Sequence, residues 1–303
     1  MDLDLTDDQR AILDALDSLC KPFENAPIHD APLAATSEEL DRAVVEGGFL
    51  DVAFDPDLGT VTAAIVVERL SRLPFAVESA ASALVRPLLG EKIRYPLCLV
   101  EDARSTRPVR FLREGATVAQ VGDGVSLFTA RADQLRPEPE ALFAYPVATL
   151  LSRPAEVRSI DVSPAEFLAR WRVGLAAETA GLLSAALDAT CAYLTERQQF
   201  GRPLATFQAL RHRLSEAQVR TNGVYWLAMK AAASLDPADA ALAALHAQES
   251  ARHCVYDFHQ FLGAMGMTLE HPLHLWTYRL KLLIGDLGGR GAQALAAADA
   301  SWG

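Results

Sequence analysis

Residues 195–219 read TERQQFGRPLATFQALRHRLSEAQV. Helix-favouring residues run up to Glu196, and the pattern stops at Gln198-Gln199-Phe200-Gly201-Arg202-Pro203. Gly201 and Pro203 predict a tight turn. A second helical pattern starts near 206 and runs to about 234. Two long helices joined by so short a turn run antiparallel. Upstream, Ser163-Pro164-Ala165-Glu166 carries three helix-start signals: an N-cap serine, proline at the first helical position and glutamate at the third. Downstream, Asp236-Pro237-Ala238-Asp239 opens a third helix to about 262. Gly263 and Gly266 end it, and a fourth runs from about Pro272 to Leu283. The expectation for residues 161–303 is an antiparallel four-helix bundle. The stretch GDLGGRG at 285–291 lacks the Gly-Lys-Ser/Thr ending of a phosphate loop and reads as a flexible helix end.

Outward from the bundle the character changes. Residues 95–160 are rich in proline and arginine, with short alternating runs such as PLCLV, TVAQVG and VSLFTA. Gly122-Asp123-Gly124 reads as a hairpin turn, and the segment is expected to hold five or six short strands. Residues 1–90 read as a small helical domain. Thr6-Asp7-Asp8-Gln9 is a capping box that opens a helix to about Lys21, with Leu5, Ile12, Leu13, Leu16 and Leu19 on one face. Thr36-Ser37-Glu38-Glu39 reads as a second box, and Gly47-Gly48 as its helix's stop. Residues 60–89 form one long helix broken near Pro74, or two.

The chain has 303 residues, half of them apolar and 22% charged, which excludes a disordered or low-complexity protein. Four scattered cysteines (Cys20, Cys98, Cys191, Cys254) exclude a zinc ribbon or a disulfide scaffold. The net charge is −11, and all of it comes from residues 1–90, with 17 acids against 6 bases. Such a chain has no broad footprint for nucleic acid. MDLDLTDDQR is acidic and lacks an apolar core, which argues against a secretory signal. No long uncharged apolar window suggests a membrane span. The expected location is the cytoplasm.

Two turns have binding chemistry. Arg197 and Arg202 flank the turn that carries Phe200, so a phosphate and a ring could be held there; the alternative is an ordinary helix–helix turn with a buried Phe. Gln260-Phe261-Leu262-Gly263-Ala264-Met265-Gly266 lets a ligand approach the backbone, or is a plain helix cap. Five histidines (His246, His253, His259, His271, His274) crowd into 29 residues, but His271-Pro-Leu-His274 lacks the context of a metal site.

Together these pieces resemble the acyl-CoA dehydrogenase family over about four fifths of the chain. Residues 195–219 are similar to its signature in which an arginine precedes Phe-Gly and Phe-Gln follows. Residues 259–283, HQFLGAMGMTLEHPLHLWTYRLKLL, resemble its Gln-x-x-Gly-x-x-Gly signature, and the EHPLHL wording is closest to the bacterial branch acting on steroid and other bulky acyl-CoA esters. The resemblance implies a mostly α fold with a small β segment: an N-terminal helical domain (1–90), a truncated middle β domain (91–160) and a C-terminal four-helix bundle (161–303). It implies that Arg197, Phe200, Gln208, Gln260 and Gly263 contact the nucleotide end of an FAD seated on a neighbouring subunit.

Two departures from the family pattern shape the functional expectation. Residues 91–160 contain neither the CxTEPxxGSD stretch nor the aromatic-x-Thr/Ser segment that hold the flavin ring. Where a Tyr-Glu-Gly-Thr-like segment would supply the base, the chain reads Leu283-Ile284-Gly285-Asp286-Leu287. The resemblance therefore implies a heteromer, of the α2β2 kind. A full-length acyl-CoA dehydrogenase sister would carry the ring pocket and the base, and this chain would complete its FAD site. The reaction implied is α,β-dehydrogenation of an acyl-CoA thioester, the α-proton going to a carboxylate and the β-hydrogen to flavin as hydride. The catalytic residue is left unassigned: Glu178 either faces the acyl cavity or sits in a salt bridge, and Glu270 either acts or caps the last helix. Two alternatives stay open, a non-catalytic structural partner and a flavin-free CoA-ester lyase or hydratase.

Overall fold

A computed structural model describes residues 4–27, 33–90, 93–101 and 107–302. The chain is mostly helical, with one small β region between two helical parts. Helix α1 (Asp7–Cys20) starts at the capping box: the Thr6 hydroxyl accepts from the Gln9 amide at 3.2 Å, and the Gln9 side chain accepts from the Thr6 amide at 2.9 Å. Its expected apolar face is buried at Leu13 and Leu16. Helix α2 (Glu38–Glu46) is capped by Ser37 alone, whose hydroxyl accepts from Leu40. Gly48, at φ +72°, turns the chain away after it. The run expected over 60–89 is two pieces. Helix α3 (Gly59–Arg72) ends before Leu73-Pro74, and after an extended stretch comes a π turn (Ala81–Val85) leading into α4 (Arg86–Leu89).

The β region has seven strands among the described residues, one or two more than expected: β1 (Leu97–Glu101), β2 (Val109–Arg110), β3 (Thr117–Val121), β4 (Val125–Thr129), β5 (Leu135–Pro137), β6 (Val147–Leu150) and β7 (Arg158–Ile160). Those of two or three residues are too short to show a period in sequence. They form a four-stranded sheet in the order β1-β3-β4-β7 and a three-stranded one in the order β2-β6-β5. The Gly122–Gly124 hairpin joins β3 to β4 with Val121 opposite Val125, as expected.

The C-terminal part is built on α5 (Pro164–Glu196), 33 residues long and buried on nearly every side. A helix apolar all round has to sit at the centre, and α5 does, packing against α3 and three later helices. Pro164 opens it, while the Ser163 side chain makes no capping bond. Helix α6 (Gln208–Ser234) turns through Leu235 (φ +50°) into α7 (Pro237–Leu262), whose first amides are capped by the Asp236 carboxylate. Helix α8 (Leu273–Ile284) follows the glycine turn. Where α5 crosses α3, Gly181 lets the backbones meet: a methyl group built on it would lie 2.1 Å from the Glu68 carbonyl oxygen.

The expected flexible end at 285–291 is instead an ordered reversal into a further helix, α9 (Gly289–Trp302). Leu287, Gly288 and Gly289 all have positive φ, and Gln248 fastens the turn by donating to the carbonyls of Leu283 and Asp286. Glu249 of α7 bonds Arg290 of α9 at 3.0 Å and also Arg252. The Arg252 hydrogen bond first, then His253 and Arg290, lower the Glu249 pKa to about 2. A depressed carboxylate stabilises the fold above its unfolded value of 4.5, and that contribution fades as pH falls towards 2. Glu249→Gln is therefore expected to melt below the parent at pH 6, with the two melting curves converging near pH 2. A gap that persists at pH 2 would assign the loss to packing.

Among the described residues no helix is long and apolar enough to cross a membrane.

Candidate functional site

The turn at 197–207 folds into a small hairpin. Strands β8 (Gln198–Gln199) and β9 (Arg202–Pro203) pair antiparallel, and Phe200 (φ +56°) and Gly201 (φ +77°) make the two-residue tip. Two positive φ values suit a tip of this length because their twist matches the flanking strands. The conformation is ordinary for glycine and unfavourable for phenylalanine. The alternative of a buried Phe does not hold: Phe200 is 87% exposed. Its ring stands edge-on to Phe207 at 6.0 Å, and the Arg202 guanidinium lies over Phe207 at 4.1 Å. Arg197 is exposed, and among the described residues no carboxylate pairs with it. Gln208, the first residue of α6, is exposed, its amide 3.3 Å from His212 Nε2.

The second turn lies at the same end of the bundle, because the ring of His271 meets Tyr193 in the last turn of α5 at 5.4 Å. Gln260 is exposed near the end of α7. Gly263 has φ +60° and ψ −130°, and a Cβ built there meets nothing within 4 Å. Its position is therefore open to a ligand, at a conformation that favours glycine. Both residues line a groove of about 560 Å³. His259 is held on both ring nitrogens, against the Gly266 carbonyl at 2.5 Å and Thr277 Oγ1 at 3.0 Å. Glu270 is exposed and does not cap α8: the first free amide, of Leu273, donates to His271 Nδ1.

Glu178 lies elsewhere, beneath the β region. A narrow cleft of about 70 Å³ runs between β1, β2 and the bundle, and Arg110, Glu178 and Asp286 line it. Glu178 is 4% exposed and engaged on both oxygens. Arg110 donates to one at 2.7 Å, and the Tyr145 hydroxyl to the other at 2.6 Å. Asp286 approaches Arg110 at 3.6 Å. Burial alone would lower the Arg110 pKa, but Glu178, Tyr145 and Asp286 raise it. Burial, then Glu178, raises the Tyr145 hydroxyl well above its usual range. Burial also raises Asp286, with Arg110 opposing it in part. The buried Arg279 closes the group from α8, donating to the carbonyls of Leu73, Phe75 and Leu275. Of the two situations open for Glu178, the geometry is the salt bridge. Arg110, Tyr145, Arg279 and Asp286 carry no local signal in sequence; only folding brings them together.

The two groups of residues differ in what they can hold. The turn residues offer an unpaired guanidinium, amides, a bare ring and open glycine backbone. That donor set fits two phosphates and an adenosine. In the cleft, Arg110, Glu178 and Asp286 are engaged with one another, and Tyr145 holds the second Glu178 oxygen.

Residues 163–284 match the acyl-CoA dehydrogenase C-terminal domain. Acyl-CoA dehydrogenase IpdE2 of Mycolicibacterium smegmatis is 27% identical over 276 residues, spanning 80% of this chain and 86% of that protein. Acyl-CoA dehydrogenase FadE34 of Mycobacterium tuberculosis is 33% identical over 156 residues; the match spans 49% of this chain and only 22% of that longer protein. A variant of the Tcur3481-Tcur3483 steroid ACAD superposes with a TM-score of 0.77 at 21% identity, over 97% of each chain. The ChsE4-ChsE5 complex from Mycobacterium tuberculosis gives 0.72 at 18% identity, over 99% of each.

Proposed function

The chain has the acyl-CoA dehydrogenase fold, with that family's C-terminal domain at residues 163–284, and from that premise we propose that it is one subunit of a heteromeric, flavin-dependent acyl-CoA dehydrogenase. In this reading Arg197, Phe200, Gln208, Gln260 and the backbone at Gly263 close over the pyrophosphate and adenosine of an FAD whose ring rests on a full-length sister chain. The assembly is α2β2 and works in the cytoplasm. Its substrate is an acyl-CoA thioester with a bulky, steroid-like acyl group, in line with the steroid ACAD it superposes on. Segments 1–90, 91–160 and 161–303 act as its helical, shortened β and bundle domains.

The observation that carries this reading is Phe200. A large apolar ring, 87% exposed on a backbone at φ +56°, touches the edge of Phe207 and leaves most of its surface uncovered within this chain. The hairpin tip sets the backbone, and covering by another molecule gives the ring it displays something to pack against. The chain's own residues then bind and orient. Arg197 presents a planar fork to phosphate oxygens, Phe200 packs against a ring, the two glutamine amides pair polar edges, and Gly263 admits close backbone approach. FAD, when bound, supplies the hydride acceptor. The base belongs to the sister chain in this account, because both Glu178 oxygens are already engaged and Glu270 stands exposed outside the cleft.

Arg197→Ala tests it. In the complex co-expressed with a full-length sister, flavin affinity is expected to fall roughly tenfold or more, the worth of a lost charge-assisted hydrogen bond. Native mass should stay that of the parent. Unchanged flavin content in an intact assembly sinks the shared site. A colourless complex active on an enoyl thioester would put flavin-free hydration in its place.

A further inference from the structure

The groove at the α7–α8 turn contains a cation to which the sequence gives no role. Lys281 lines it together with Arg252, Tyr256, His259, Gln260 and Gly263. Among the described residues no carboxylate pairs with Lys281, whereas Arg252 is tied to Glu249 at 3.0 Å. The Lys281 ammonium is not loose: it lies over the Tyr278 ring, 4.1 Å from its centre. Tyr278 stacks on His259 at 6.3 Å with the rings 17° apart, and His259 is fixed at both nitrogens by Gly266 and Thr277. The lysine is thus set in place by a chain of rigid contacts running back to the glycine turn. An unpaired cation beside an open glycine backbone, in a groove of about 560 Å³, has the chemistry and size of a nucleotide-phosphate site.

We propose that Lys281 is a phosphate-binding residue of this groove, holding the nucleotide end of the shared FAD from the side of α8. The inference rests on the shared-flavin reading above and adds a residue beyond the Gln-x-x-Gly-x-x-Gly pattern at 260–266. The aromatic stack under Lys281 sets where its charge sits, so a neutral side chain of similar length loses the interaction and an arginine keeps it.

The test uses the co-expressed heteromer, stripped of flavin and titrated with FAD, following flavin fluorescence. Lys281→Met is expected to weaken FAD binding roughly tenfold and to flatten its dependence on salt, since one phosphate contact is gone. Lys281→Arg should restore both. Lys281 is on the exposed face of α8, so both variants should assemble with the parent's native mass. Parental FAD affinity in Lys281→Met, in a preparation where Arg197→Ala has lost flavin, overturns the role of Lys281 and leaves the shared site standing. Parental affinity in both variants overturns the two together. A loss in Lys281→Met that arginine does not restore, or that comes with the parent's salt dependence, also overturns the phosphate role.

Discussion

Replacing Gly181 with alanine is expected to destabilise the protein by about 3 kcal/mol or more, the upper end of overpacking costs. In an ordinary helix interior the same change stabilises by roughly 0.5–1 kcal/mol, because glycine loses more backbone freedom on folding than alanine. Here the sign reverses on contact. The added methyl would sit 2.1 Å from the Glu68 carbonyl oxygen, 2.8 Å from Ser71 Cβ and 3.0 Å from the Glu68 carbonyl carbon. Two of those atoms are backbone of α3, so no side chain can swing aside; the two helices have to part. Parting them disturbs more than one contact, since α3 is buried from Thr62 to Glu68 and Glu68 is ion-paired with Arg72 at 2.7 Å. Gly174 is the internal control. A methyl there meets Ala80 at 3.2 Å and its carbonyl oxygen at 3.3 Å, a crowding of a few tenths of an ångström. Gly174→Ala is therefore expected to fall within about 1 kcal/mol of the parent, the gain in helix propensity offsetting the strain. Urea denaturation of the three proteins in one assembly state measures both. If Gly181→Ala proves no less stable than Gly174→Ala, the close crossing of α3 and α5 is not there.

The parts of this fold legible in sequence are those written in local chemistry. The Thr6 box, Pro164, the Asp236 cap and the Gly201 turn each act through neighbours within four residues, and each placed its element correctly. The same locality explains the misses. The reversal at 287–289 looks flexible from its glycines; what orders it is Gln248, reaching from α7 to two carbonyls of the turn. Apolarity alone leaves Phe200 open between a buried turn residue and one that packs a ligand ring, and the hairpin register, which puts it at the two-residue tip, turns it outward. Lys281 has no signal of its own in the sequence; Tyr278 beneath it and His259 beyond set where its charge sits. Of the candidate site, the motifs located both turns; which charges remain unpaired there depends on long-range geometry that no window of sequence contains.

The same limit hides the buried group of Arg110, Tyr145, Glu178 and Asp286, which comes from the β region, α5 and the α8–α9 turn. Its removal by halves gives the second large effect. Arg110→Met leaves the Glu178 carboxylate, whose side chain is 5% exposed, with a single neutral partner in Tyr145. Breaking a buried pair on one side costs about 3–5 kcal/mol, because the remaining charge has lost its water and gained nothing. Asp286, a quarter exposed and 3.6 Å from the Arg110 guanidinium, adds like charge to the Glu178 site once that guanidinium is gone. The double variant Arg110→Met/Glu178→Gln removes the charge with its partner and keeps an acceptor for the Tyr145 hydroxyl. It is expected to recover most of the loss, since an intact buried ion pair contributes little net stability over a neutral replacement. Its flavin content in the proposed heteromer should match the parent, because the cluster ties the β region to the bundle and stands apart from both turns. Denaturation midpoints of the single and double variants decide the first point: a single variant as stable as the parent would mean that no charge is stranded. Flavin loss in the stable double variant would make the cleft part of the cofactor site, with Glu178 once more a candidate for chemistry.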